Sequence, residues 1–269
     1  MGTQFWWFYD VLIIAVAAGL LYNAAAKGLN KMIFPLVGCI LAFAAGYFGS
    51  GLLAEPAYNM LFQENITETI QTEYEEMDFV PAVLEQFNRM NPEDTVNQRK
   101  LKELLSAESI PETVSDAAGE VVQAMLTRRF APLPEESVSD LFRQEPEQLR
   151  HFLDAEEPAD AAAVLEEQYF RPFYLEMVQL AGFLLIAVAI LIVVGIISNM
   201  AGNLEELMHI RRFSHVLAFP IGIVRAAFAL IAITAAVRLI VLSTENMMML
   251  FNEETIAETK IFHYLYDRL

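Results

Sequence analysis

The sequence predicts an all-α membrane protein with four transmembrane helices and a helical extracytoplasmic insert between the second and third. Three observations predict it. The 269 residues are 55% hydrophobic with a mean hydropathy of +0.38, yet the net charge is −18. A soluble domain of this size has too little interior for so much apolar surface, and an acidic disordered chain would hold far fewer Phe, Leu and Ile. Apolar and charged residues are also segregated. Of the 35 acids, 26 lie between Glu55 and Arg171, against 9 of the 17 Lys and Arg, so that segment alone is −17. Finally, the apolar residues fall into four runs, each near the roughly 20 residues that cross about 30 Å of hydrocarbon.

The first run extends from about Phe8 to Ala26, interrupted only by Asp10, Tyr22 and Asn23. Nothing basic precedes Asp10, unlike a cleavable signal peptide, and Trp6 stands where a myristoylation site needs Ser or Thr. Trp6, Trp7, Phe8 and Tyr9 read as an interfacial aromatic belt. The second run, about Met32 to Ala54, holds no charge until Glu55. The third, about Phe173 to Ser198, is preceded by a second belt of Tyr169, Phe170, Phe173 and Tyr174, which places both belts on one side. The fourth, about Leu217 to Ser243, contains Arg225 and Arg238. The expected division is residues 1–54 (helices one and two), 55–171 (acidic helical insert) and 172–269 (helices three and four with a short tail).

Orientation follows from Lys and Arg in short connections. Lys27 and Lys31 mark the first hairpin, Arg211 and Arg212 the second, and these four are expected at cytoplasmic lipid headgroups. Both termini and the insert are then extracytoplasmic, which in a bacterium means the periplasm or cell-wall space. Lys260 and Arg268 in the tail weigh weakly against this orientation.

An unstructured connection of about 115 residues is unusual. The insert has one glycine, Gly119, and its apolar residues recur at helical spacing: Val114, Ala117, Val121 and Met125 in one stripe, Val83, Phe87 and Met90 in another. Ser109 and Glu112 have capping-box spacing, with Pro111 where a helix can begin. Pro92, Pro132, Pro134, Pro146 and Pro158 punctuate the rest into short helices. The alternative is a partly disordered acidic loop.

Chemistry-bearing constellations are few. An intramembrane arginine costs at least about 2.5 kcal/mol at the bilayer centre. Arg225 and Arg238 are 13 residues apart, roughly 20 Å along a helix, so each lies nearer an interface. Either both snorkel, or Arg238 pairs with Asp10 or Glu176. Small residues four apart, Ala15 with Gly19, Ala42 with Gly46, Ala45 with Gly49 and Gly222 with Ala226, suit close helix packing, within the chain or in a homo-oligomer. His209 and His215 lack further ligands for a metal site. Asn65-Ile66-Thr67 is a formal sequon, and Gly49-Ser50-Gly51 lacks the glycine that a nucleophile elbow requires. A single cysteine, Cys39, excludes a disulfide scaffold, and the charge balance argues against nucleic acid. No catalytic, cofactor or metal site is expected.

The membrane segments resemble the colicin V production protein (CvpA) family over about residues 6–54 and 175–269. The resemblance is carried by the opening WWFYDVLII with Asp10, by Lys27-Gly28-Leu29 at the first hairpin, and by Gly38 in the second span. HVLAFPIGIVRAAFAL follows with Gly222 and Arg225, Ala218 and Ala226 standing where the family often has glycine. The tail ETKIFHYLYDRL resembles the family's hydroxyl and aromatic ending at Thr259, Tyr264 and Tyr266. The resemblance implies an integral inner-membrane protein linked to colicin V production or export and to envelope integrity, with no established reaction. The leading expectation is therefore a non-enzymatic envelope protein whose acidic insert contacts an envelope or exported protein. The alternative is a small oligomeric transporter or channel with Asp10, Glu176, Arg225 and Arg238 along its path.

Overall fold

A computed structural model describes residues 5–27, 29–107, 110–134, 136–153, 155, 157–201, 214–244, 248 and 250–268. The described residues are overwhelmingly helical and include no strand. In chain order the helices are α1 (Trp6–Lys27), α2 (Leu29–Tyr58), α3 (Glu64–Glu76), α4 (Phe79–Met90), α5 (Gln98–Leu105), α6 (Glu112–Thr127), α7 (Val138–Gln144), α8 (Pro146–Leu153), α9 (Pro158–Leu165), α10 (Arg171–Ala201), α11 (Ser214–Ser243), α12 (Glu253–Ala257) and α13 (Phe262–Tyr266). A π-helical turn, Asn59–Gln63, links α2 to α3, and another, Glu166–Phe170, links α9 to α10. Four stretches are long and apolar enough to cross a membrane: Trp6–Ala26, Met32–Glu76, Pro158–Ile197 and Ala218–Ser243.

The chain forms two compact units. One comprises Met1–Glu55 with Met177–Leu269, the other Pro56–Glu176. The first unit is built on close contacts at small residues, because apolar spans associate by packing rather than by exclusion from lipid. α1 lies along α11, and a Cβ added at Gly222 would stand 2.7 Å from the Ala24 Cβ. α2 packs on α10: a Cβ at Gly46 would come within 2.9 Å of the Phe183 ring, and one at Gly49 within 3.0 Å of Ile186 Cδ1. Phe43 joins the two pairs, its ring centroid 5.1 Å from that of Phe183 and 4.4 Å from that of Phe228. Leu185, Val188, Ile192 and Ile196 on α10 point outward, as side chains facing lipid do.

The acidic unit is a set of short amphipathic helices over its own core. α4 packs on α6, α6 on α7, α3 on α9, and α8 on both α7 and α9. Val83, Phe87, Val114, Ala117, Val122, Phe142, Leu149, Phe152 and Leu165 are buried there. Asn97 caps α5 by accepting from the Lys100 N–H at 2.9 Å, and Ser137 caps α7 by accepting from the Asp140 N–H at 3.1 Å. Pro146 and Pro158 are the first residues of α8 and α9, where a missing N–H is harmless. Gly119 is required by contact. A Cβ there would stand 2.6 Å from the Ser139 backbone nitrogen, so α6 and α7 cross at this residue.

Two details of the expected stripes need correcting. Of the adjacent α6 valines, Val122 is fully buried and Val121 only half-buried, because a stripe with a period of 3.6 residues drifts off a strict four-residue step. Met90 is exposed at the end of α4. α6 begins after Pro111 without a side-chain cap, and Ser109 lies outside the described residues.

Candidate functional site

Polar contacts in the apolar unit concentrate where the start of α1 meets residues 250–266. Asp10 is nearly buried, and both of its carboxylate oxygens accept backbone N–H groups. Oδ2 accepts from Lys260 at 2.8 Å, and Oδ1 from Ile261 and Phe262 at 3.0 Å each. These donors open α13, whose own N-cap residue, Ile261, has no side-chain acceptor. A carboxylate brought from the other end of the sequence does the capping, and a charged acceptor makes each bond stronger than a neutral one.

The surrounding contacts fix this arrangement. The Tyr9 hydroxyl donates to the Leu250 carbonyl at 2.6 Å, and its ring stacks on Phe262 with centroids 4.8 Å apart. Tyr9, Ile13, Val237, Val241, Ile256, Phe262 and Tyr266 share one apolar cluster. Thr259 accepts from the His263 N–H at 2.8 Å and donates to the Ile256 carbonyl at 2.7 Å, while Asn252 caps α12 by accepting from the Thr255 N–H at 2.7 Å. The Lys260 ammonium lies 5.5 Å from the Trp6 ring centroid, and the Arg238 guanidinium 5.9 Å from that of Tyr266, both within cation–π range. Pairing of Arg238 with Asp10 or Glu176 was one expectation and snorkelling the other. Asp10 instead holds three backbone amides, and the Arg238 guanidinium lies over the Tyr266 ring.

Arg225 sits elsewhere on α11. Its Nη1 donates to Met32 Sδ at 3.3 Å, and Met32 is fully buried. Its Nε is buried and meets no hydrogen-bond partner among the described residues. An orphaned buried donor costs about 1–3 kcal/mol, so a thioether, which is a weak acceptor, is a poor counterpart for this guanidinium.

The packing candidates divide. Gly46, Gly49 and Gly222 meet neighbouring helices as described above, and Ala226 is buried. Gly19 faces open space, with nothing within 4 Å of an added Cβ among the described residues. Lys27 and Lys31 fall at the end of α1 and in the first turn of α2, and Arg211, Arg212 and His209 lie outside the described residues.

In the acidic unit the Tyr58 hydroxyl donates to Glu166 Oε1 at 2.7 Å, a buried pair in which each residue adjoins or opens a π-helical turn. Nothing in the sequence pointed to it, since the partners are 108 residues apart. Arg143 on α7 bridges to Asp116 at 2.6 Å and Glu112 at 3.0 Å on α6, and to Asp140 at 3.5 Å on its own helix. The hydrogen bond and charge of Asp116 push the Arg143 guanidinium further up, and the Ser137 hydroxyl, with a smaller contribution from Arg143, holds the Asp140 carboxyl below its usual range. Among the described residues no group of three or more His, Cys, Asp or Glu is arranged to hold a metal ion.

The fold and these sites define an all-helical protein with four candidate membrane-spanning helices and a separate acidic helical unit. No family model, curated protein or solved structure matches the chain.

Proposed function

We propose that this is a non-enzymatic integral protein of the bacterial cytoplasmic membrane, of the colicin V production type, serving export or envelope integrity. In this reading the apolar unit anchors the chain. The acidic unit, with both termini, faces the extracytoplasmic space and engages an envelope or exported protein. The observation that carries it is the segregation of charge into a unit with its own core: residues 56–176 hold 26 of the 35 acids and fold as one compact body. The polar residues at the tail site support the same reading, because Asp10, Tyr9 and Thr259 are occupied in holding the chain's own backbone. Arg225, a charge within a candidate span whose Nη1 rests on Met32, favours the second reading, a small oligomeric transporter or channel.

Two measurements test the proposal. Impermeant thiol labelling of Ser137→Cys in intact cells, with Ser214→Cys protected, in a Cys39→Ala background, is the expected topology; the reverse pattern refutes it. Photo-crosslinking from exposed positions of the acidic unit, such as Glu75, should capture an extracytoplasmic protein in native membranes. Solute flux in proteoliposomes of the purified chain, lost on Arg225→Gln, would favour the transporter instead.

A further inference from the structure

We propose that Arg225, at the edge of the bundle beside Met32, is a phosphate site that holds the phosphodiester of an anionic phospholipid. The level is right for a headgroup. Met32 opens the second candidate span, and Arg225 lies seven residues, about 10 Å, into the fourth, with its guanidinium on the Met32 sulfur. The side chain therefore reaches back toward the end of the span, as a snorkelling arginine does. Rotation is right as well. Gly222 and Ala226 are buried, whereas Ile223 and Val224 are exposed, so Arg225 stands where the packed face of α11 gives way to the outward face. Ile33 and Phe34, next to Met32 on α2, are exposed beside it and offer an apolar surface for acyl chains.

The guanidinium needs an anion, and this end of the chain is poor in them. No acid occurs from Val11 to Ala54 or from Met177 to Leu204. The connection's Glu205 and Glu206 are outnumbered by Lys27, Lys31, Arg211, Arg212 and Arg225. The Nε is buried without a partner among the described residues and the Nη1 is spent on a thioether, so the Nη2 is the guanidinium nitrogen left to donate to a phosphate oxygen. A headgroup diester and free inorganic phosphate share this chemistry. The adjoining apolar surface favours the lipid, and the argument holds for either orientation in the membrane.

The test uses the full chain in detergent micelles, titrated with phosphatidylglycerol, phosphatidylcholine or inorganic phosphate and followed by native mass spectrometry and thermal melting. Phosphatidylglycerol should bind at least fivefold more tightly than phosphatidylcholine, and Arg225→Gln should remove that preference. Removing an exposed charge in the acidic unit, Arg99→Gln, should leave it within twofold. Should Arg225→Gln fail to fold, Arg225→Lys keeps the charge but loses the planar guanidinium, and should weaken phosphatidylglycerol at least threefold. Equal binding of the two lipids, or undiminished phosphatidylglycerol binding by the Arg225 variant, overturns the proposal. Inorganic phosphate that displaces phosphatidylglycerol and stabilises the protein as strongly overturns the lipid assignment in favour of a free anion.

Discussion

Replacing Asp10 by alanine should loosen the C-terminal segment while leaving the bundle assembled. Three backbone N–H groups, at 2.8, 3.0 and 3.0 Å, lose a charged acceptor together. A hydrogen bond to a charged group contributes about 1.5–3 kcal/mol. The sum is not realised in full, because amides 260–262 recover water when the segment detaches. Ile256, Phe262 and Tyr266 remain in the apolar cluster with Tyr9 and Val237, so some docking persists. A net loss of about 3 kcal/mol in docking free energy is expected, roughly a hundredfold at about 1.4 kcal/mol per decade. Hydrogen exchange followed by mass spectrometry reads it directly: amides 260–262 should exchange about a hundredfold faster in Asp10→Ala, with the middle of α11 unchanged. Asp10→Asn retains one acceptor oxygen and should fall between, and Asp10→Glu should rescue poorly because an added methylene displaces the carboxylate. Exchange at 260–262 within threefold of the native protein in Asp10→Ala would refute the capping role.

The remaining expectations use the same geometry. Gly222→Leu should lower thermal stability in detergent far more than Gly19→Leu, because an added Cβ meets Ala24 at 2.7 Å in one case and nothing within 4 Å in the other; equal melting temperatures would contradict the packing. Tyr58→Phe removes the donor to buried Glu166 and should cost about 1–3 kcal/mol, read as a lower unfolding midpoint of the acidic unit, whereas Tyr47→Phe on the exposed face of α2 should cost little. The Asp140 carboxyl, held down by Ser137, contributes stability present above the ordinary carboxylate range and lost as pH falls through its depressed value. Ser137→Ala should move its NMR titration upward toward an ordinary aspartate, and an unmoved midpoint would remove the hydroxyl as the cause.

The four long apolar helices were legible because length and apolarity are properties of a local window: an unbroken run such as Met32 to Ala54 needs no knowledge of its neighbours. Helical spacing within the acidic segment was legible to within a residue, and Val121 was taken for Val122 because a stripe read by fixed steps ignores drift around the helix. Partners across the chain were not legible. Depth placed Asp10, Glu176 and Arg238 at one end, and charge offered either acid as a partner for the arginine, with snorkelling as the alternative. What Asp10 holds is backbone, and a backbone N–H carries no signature in the sequence, since every residue but proline supplies one. Tyr58 and Glu166 were missed for a related reason. Neither residue type is unusual in an acidic amphipathic segment, and burial of the pair depends on how helices distant in sequence come together.

The tail site joins residues far apart in the sequence. The opening with Asp10 and the ending with Thr259, Tyr264 and Tyr266 stood out as separate features about 250 residues apart, and in the structure most of them belong to one site. Thr259 fixes the turn before α13 by bonding on both sides, Asp10 caps the amides that follow, and Tyr266 packs in the same cluster as Tyr9. Tyr264 is the exception, pointing outward on the opposite face of a five-residue helix. A helix that short cannot sustain itself, since nucleation fixes several residues for few hydrogen bonds. It therefore depends on an acceptor from elsewhere, and an aspartate inside an otherwise apolar opening is such an acceptor. The charge is tolerable there because three donors surround it, and the donors are held because the charge is there. Each feature alone would be a liability near a membrane, and together they tie the end of the chain to the start of its first helix.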